Sequence, residues 1–319
     1  MKRFLKFIPL LILAFPIIFV SQNYPFTSKA KHLTLLSDTN NIKNSLDLII
    51  KTNGFRTYNN IDVLDTVAER LRLNFIKHTP RVTYQNYTVN ESDYKNVIAS
   101  FGPENAERII VGAHYDVCGN QDGADDNASG VAGLLELARL LQHDTLNYRI
   151  DLVAYTLEEP PYFGTEYMGS YVHAKSLKEA NIAVKGMISL EMIGYYSDQP
   201  NTQQYPFPIM KWIYGDKGDY ITIVQKSFSG DFSEEFKEHY FDNNSIIAKN
   251  FTAPKNLGGI SFSDHRNYWQ FDYSAVMVTN TAFFRNTHYH KTTDQLKTLN
   301  ITKMAQKIDG VYRSLLKMQ

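Results

Sequence analysis

"RIIVGAHYDV", residues 108–117, places an unbroken apolar run directly before His114 and Asp116. A strand with one wet face alternates apolar and polar residues, so a continuous run means that both faces are covered. Runs of the same kind recur at residues 150–156, 184–190 and 274–279, and helical patterns follow at least the first two. The stretch GVAGLLELARLLQ, residues 130–142, is mostly apolar and suits a helix packed on such a sheet. The expectation is an α/β fold: a mostly parallel, mixed central sheet with helices on both faces.

Outward from these runs the pattern changes. Residues 81–101 alternate and are rich in Val, Thr and Tyr, which predicts edge or hairpin strands. Residues 61–75 show amphipathic helical spacing, within a helical segment starting near residue 40, and a last amphipathic helix covers 301–317. No repeat or low-complexity linker interrupts the 319 residues, so 26–319 is expected to form a single domain. Residues 1–25 stand apart. A basic start (Lys2, Arg3, Lys6) and an apolar stretch broken by Pro9 and Pro16 read as an export signal. Cleavage would give a secreted or periplasmic, extracytoplasmic protein. Without cleavage, residues 4–20 would anchor it in a membrane.

Basic and acidic residues number 33 each, so no global field points to nucleic acid. The single cysteine, Cys118, excludes an intramolecular disulfide framework and a cysteine-based zinc cluster. A metal here would take nitrogen and oxygen ligands.

In an open α/β sheet, ligands bind beyond the carboxyl ends of the strands. The first run delivers His114 and Asp116, followed by GADDNASG at 123–130; the second delivers Glu158 and Glu159 ahead of Pro160 and Pro161. The third ends in SLEMIGYY, with Glu191, and the loop after the fourth carries THYHKTTDQL, with His288 and His290. Each residue alone has an ordinary reading: Asp125 or Asp126 as a helix cap, the glutamates in ion pairs, the histidines in loop hydrogen bonds. Together they crowd carboxylates at one rim with no Lys or Arg in the same motifs, and a metal cluster would neutralise them. Two histidines and three carboxylates suit zinc. Two Zn²⁺ ions, three carboxylates and one hydroxide sum to zero charge.

The motifs AHYD, GADDNASG, the glutamate pair, LEMIGY, SDH and HKTTD, in that order over about residues 109–300, resemble the zinc-dependent aminopeptidases of the M28 peptidase family. The resemblance implies a zinc-aminopeptidase-like fold and two zinc ions per chain. His114 and Glu191 would hold the first ion, Glu159 and His290 the second, and Asp126 both. Glu158 would be the general base, acting on peptide substrates from which N-terminal residues are removed. It further implies that Asp116 orients His114, and that His265 lies near substrate unless it is an ordinary loop histidine. A single-zinc glutaminyl-peptide cyclotransferase shares HYD and GA-x-D and is the nearest alternative; Asn127, the ASG continuation and LEMIGY favour the peptidase. A non-catalytic binding module on the same fold would have lost ligands, yet every position is filled here. A serine hydrolase lacks its G-x-S-x-G elbow. Tyr162, Phe163, Tyr195 and Tyr196 follow strand ends and read either as pocket walls or as rim packing.

Overall fold

The continuous apolar runs form the middle of one eight-stranded sheet, with strand order β1-β2-β4-β3-β5-β8-β6-β7. The strands are β1 Val82–Val89, β2 Ser92–Phe101, β3 Arg108–His114, β4 Arg149–Tyr155, β5 Val184–Glu191, β6 Ile221–Lys226, β7 Ala248–Ala253 and β8 Ala275–Thr279. The structure, a computed structural model, describes residues 19–319. Most of the segment read as a signal or anchor lies outside the described residues. No helix among those described is long and apolar enough to cross a membrane.

Parallel pairing joins β4, β3, β5 and β8 in the centre and β6 to β7, while β1/β2, β2/β4 and β6/β8 are antiparallel. The sheet is therefore mixed and mostly parallel. Its two-sided burial is visible residue by residue: Ile109 and Val111 belong to one apolar core and Ile110 to the other. Leu152 and Val153 part in the same way. The helices Thr39–Ile50, Gly130–Leu141 and Ile301–Lys317 feed the first core; Gly169–Glu179 and His265–Gln270 feed the second. The 81–101 segment is a hairpin whose two-residue turn, Asn90 and Glu91, has both φ values positive (48° and 66°), the geometry that follows strand twist.

Two features were not anticipated. One is the unit β6, helix Asp231–Asp242 and β7, which extends the sheet past β8. Its strands carry buried polar residues, Thr222 and Lys249 on one face and Asn250 on the other among them, so no continuous apolar run marked them. The other is the start of the folded unit. Asn23 exchanges hydrogen bonds with the backbone of Thr252 (2.9 and 2.7 Å), Asn250 N–H donates to Phe26 O (3.0 Å) and Ser28 N–H to Ala248 O (2.8 Å). Residues 23–28 thus cover the exposed edge of β7, a common protection against edge pairing.

Candidate metal centre

His114 is the last residue of β3 and Glu191 the last of β5, two neighbouring parallel strands, so both arrive at the same rim. Glu158 and Glu159 come two residues later than the strand would place them. β4 ends at Tyr155, and Leu157 is left-handed (φ 61°), which turns the chain out of the strand before the pair. Alternation no longer applies there, and adjacent glutamates can converge. Non-glycine residues rarely adopt such φ values, and Met192 (φ 49°) and His290 (φ 54°) do so on the same rim.

Asp116 ties two of these loops together: its carboxylate accepts the N–H groups of Glu158 (3.2 Å) and Glu159 (3.0 Å). Its Oδ1 also lies 3.5 Å from Nδ1 of His114. Asp294 acts likewise on the loop 123–129, accepting the N–H groups of Asp125 and Asp126, each at 3.0 Å. The two neighbouring aspartates then diverge. Asp125 points away from the rim and accepts from Gly194 N–H (2.8 Å), Asn280 (2.8 Å) and Asn286 (2.7 Å). Asp126 faces both histidines, with Oδ1 3.5 Å from His114 Nε2 and Oδ2 3.2 Å from His290 Nε2.

The remaining contacts complete two overlapping groups. His114 Nε2 is 3.5 Å from Glu191 Oε2 and 3.8 Å from Glu158 Oε2; His290 Nε2 is 3.3 Å from Glu159 Oε2. Glu191 Oε2 is held by Ser263 Oγ (2.8 Å) and approached by Asn127 Nδ2 (3.3 Å). Asp126 Oδ2, Glu159 Oε1 and His290 Nε2 are buried without a hydrogen bond. Atoms that face one another at about this distance yet are not aligned as donor and acceptor are arranged as ligands around a point between them, so the residues fit a divalent cation.

Electrostatics agree. Burial, and then the charges of neighbouring carboxylates, push Glu158 well above the usual carboxylate range against the pull of His114, and lift Glu159 to about 7. Burial would raise Asp126 too, but His114 and His290 hold it far below its ordinary value. Burial would lower His290, yet Asp126 and Glu159 raise it to about 10. Protons on imidazole are here doing what a cation would do better: neutralising buried carboxylates.

Asp116, Asp126, Glu158, Glu159, Glu191, His114 and His290 are thus brought together, and His288 is not: its Nδ1 pairs with Thr293 Oγ1 (2.9 Å). His265, which could lie near substrate or be an ordinary hydrogen-bonded histidine, has the surroundings of the second. It is fully buried, its Nε2 bonds Ile260 O (2.7 Å), and its ring stands edge-on to Trp269 at 4.5 Å. Its neighbour Asp264 is the group that senses His114 and Glu191, with burial lifting it to about 7. Cys118 was set aside, yet its sulfur lies within 4.8 Å of ligand atoms of Glu159 and His290. Arg56 was also missed. Its guanidinium, 1 % exposed, donates to Tyr115 O (2.8 Å), Asp122 O (2.8 Å) and Gly123 O (3.2 Å), fixing the chain between His114 and Asp126. Nothing local in GFRTYNN announces that contact.

An imidazole–carboxylate cluster at the carboxyl ends of a doubly covered α/β sheet, with a carboxylate free to move a proton, defines a metal-dependent hydrolase. The chain belongs to peptidase family M28, whose sequence model matches residues 96–314. It is similar to uncharacterized protein YfbL of Escherichia coli (strain K12), 40 % identical over 318 residues and 97 % of each chain. Leucine aminopeptidase 1 of Arthroderma otae is 36 % identical over 110 residues, 31 % of this chain and 29 % of that one. In fold it matches the glutaminyl cyclase of Porphyromonas gingivalis, with TM-score 0.68 at 17 % identity over 90 % of this chain and all of the other.

Proposed function

We propose that this chain is an aminopeptidase that holds two zinc ions, through His114, Asp126 and Glu191 on one side and Asp126, Glu159 and His290 on the other. The observation that carries the reading is Asp126, which turns one oxygen toward each histidine. When bound, zinc supplies Lewis acidity toward a peptide carbonyl and acidifies water near neutral pH. Glu158 is the remaining carboxylate, 6 % exposed and raised by burial, and takes the proton of the attacking water and returns it to the leaving amine. Asp116 positions that carboxylate through the backbone of Glu158 and Glu159. Relatives bearing aminopeptidase names support removal of N-terminal residues from peptides. The N-terminal segment supports export, with periplasmic or extracellular peptides as substrates, or retention at a membrane by that segment.

Glu158→Gln tests the assignment: turnover of aminoacyl reporters should fall by more than about 10²-fold, the lower range for acid–base catalysis, while zinc content by mass spectrometry stays at two per chain. Near-native turnover would remove Glu158 from the chemistry. The fold shared with a glutaminyl cyclase makes a pyroglutamate assay the proper companion. Ring closure of N-terminal glutamine with one zinc per chain would replace the peptidase reading.

A further inference from the structure

Two of the polar residues that hid β6 and β7 from the sequence reading, Thr222 and Lys249, lie in register. Glu191 of β5 pairs with Thr279 of β8, Thr279 with Thr222 of β6, and Thr222 with Lys249 of β7. These four residues form one rung across four strands, all on the same face of the sheet, with Glu191 of the metal cluster at one end and Lys249 at the other. Three strand spacings of about 4.8 Å separate the ends by roughly 14 Å. The next rung on that face runs Met277, Val224 and Phe251. Together the two rungs floor a cavity of about 80 Å³ that opens beside Glu191 and is otherwise walled by aromatic side chains, Tyr205, Phe262 and Phe283 among them.

The cavity is mainly apolar, with Lys249 and Thr222 at its far end. Lys249 is 8 % exposed; its Nζ donates to Tyr214 O and sits 3.4 Å from the centre of the Tyr220 ring. Among the described residues no carboxylate lies within 4 Å of it. Thr222 Oγ1, beside it on the rung, is buried without a hydrogen bond. Behind Tyr220 stands a second buried cation, Arg285, 4.5 Å from the same ring, whose Nη2 is likewise unpartnered. A desolvated cation and a free hydroxyl at the end of an aromatic pocket, with a second incompletely partnered cation behind the ring, favour an anion at that end.

We propose that this pocket reads a carboxylate on the substrate, delivered along an apolar stem to Lys249 and Thr222, so that the enzyme prefers peptides presenting such a group about one side-chain length from the scissile bond. N-terminal glutamate has that form; so does the terminal carboxylate of a very short peptide. Burial holds Lys249 down at about 8, so an arriving carboxylate also completes its protonation. The inference rests on the peptidase reading for its substrates but not for its ligand chemistry.

The test has three arms on the full chain. With C-terminally blocked reporters, glutamyl should exceed glutaminyl in kcat/KM by at least tenfold, the two side chains differing in charge and hardly in shape. If the short peptide is the source, the preference appears instead between free dipeptides and their amides. Lys249→Met should reduce whichever ratio is found to near one, and Thr222→Val should lower it less; because a ratio is read, the wild-type arms decide even if Lys249→Met fails to fold. Equal rates in both pairs would overturn the proposal. Should no reporter be cleaved at all, the peptidase reading fails separately, and glutarate is then used as the probe. A rise in wild-type melting temperature with glutarate but not with glutaramide supports the carboxylate site, and no rise rejects it.

Discussion

His114 and His290 stand on either side of Asp126, but they are built into the molecule differently. His114 ends a central strand, is 1 % exposed, and has Asp116 behind it. His290 sits on a loop, keeps 27 % of its side chain exposed, and adopts a left-handed backbone. The first half of the cluster inherits the rigidity of the sheet, while the second depends on loop geometry and faces solvent. His290 is therefore the more solvent-accessible of the two histidines, and on the two-zinc reading the ion on its side would exchange more readily.

That contrast can be broken at its hinge or at either side. Asp126→Ala removes the carboxylate common to both halves and should abolish binding of both ions, with activity down by well over the 10–100-fold typical of losing an outer partner of a ligand. Two ions retained in this variant would show that the halves are independent. His114→Ala and His290→Ala separate them. In metal-free protein, His114→Ala should lower the melting temperature by about 3 °C, corresponding to about 2 kcal/mol for an unpaired buried carboxylate group, and His290→Ala by much less. In the loaded enzyme His290→Ala should lose one ion of two. Equal destabilisation by both would erase the distinction drawn from burial. Asp116→Asn, which keeps shape but weakens the hold on Glu158 and Glu159, should cost about 10–100-fold in kcat with metal content retained.

The last test lies away from the cluster and serves as its control. His173 is buried, bonds Tyr268 OH through Nδ1 (2.6 Å), and burial lowers it from 6.5 to about 4. The folded state thus binds its proton later than the unfolded state. The stability contributed by neutral His173 is present above pH 6.5 and is lost as pH falls from 6.5 toward 4, by roughly 3 kcal/mol in all. Urea titrations at pH 7 and pH 4.5 should show a shallower acid loss in His173→Gln than in wild type. The same slope in both would mean that the acid limb belongs wholly to the carboxylate–histidine rim.

Strands whose two faces both meet apolar cores had to be apolar throughout, so β3, β4, β5 and β8 were legible as continuous runs, and the rim residues followed from where those runs stop. The choices between Asp125 and Asp126 and between His288 and His290 were not contained in the runs; they came from the motif resemblance, and the structure separates each pair by its hydrogen-bond partners. β6 and β7 stayed hidden because their inward residues are polar for a local reason, the rung ending at Lys249. Of the four aromatics read either as pocket walls or as rim packing, Tyr162 packs on Tyr58 and Tyr167 and Phe163 on Phe262, and none lines the pocket, whose walls come from Glu191 and residues 203–284. Arg56 is 59 residues from the carbonyl that it braces, a separation that no local pattern spans.

Arg56 has one further consequence, for how the chain can be divided. The segment by which the family is recognised begins at residue 96, forty residues downstream of this arginine. An excised fragment starting there would keep every metal-facing side chain and the central strands, yet three carbonyls between His114 and Asp126 would lose their common donor. What defines the family on paper is thus smaller than what works as one piece, and the helical stretch ahead of it is better regarded as part of the catalytic machine than as a leader to it.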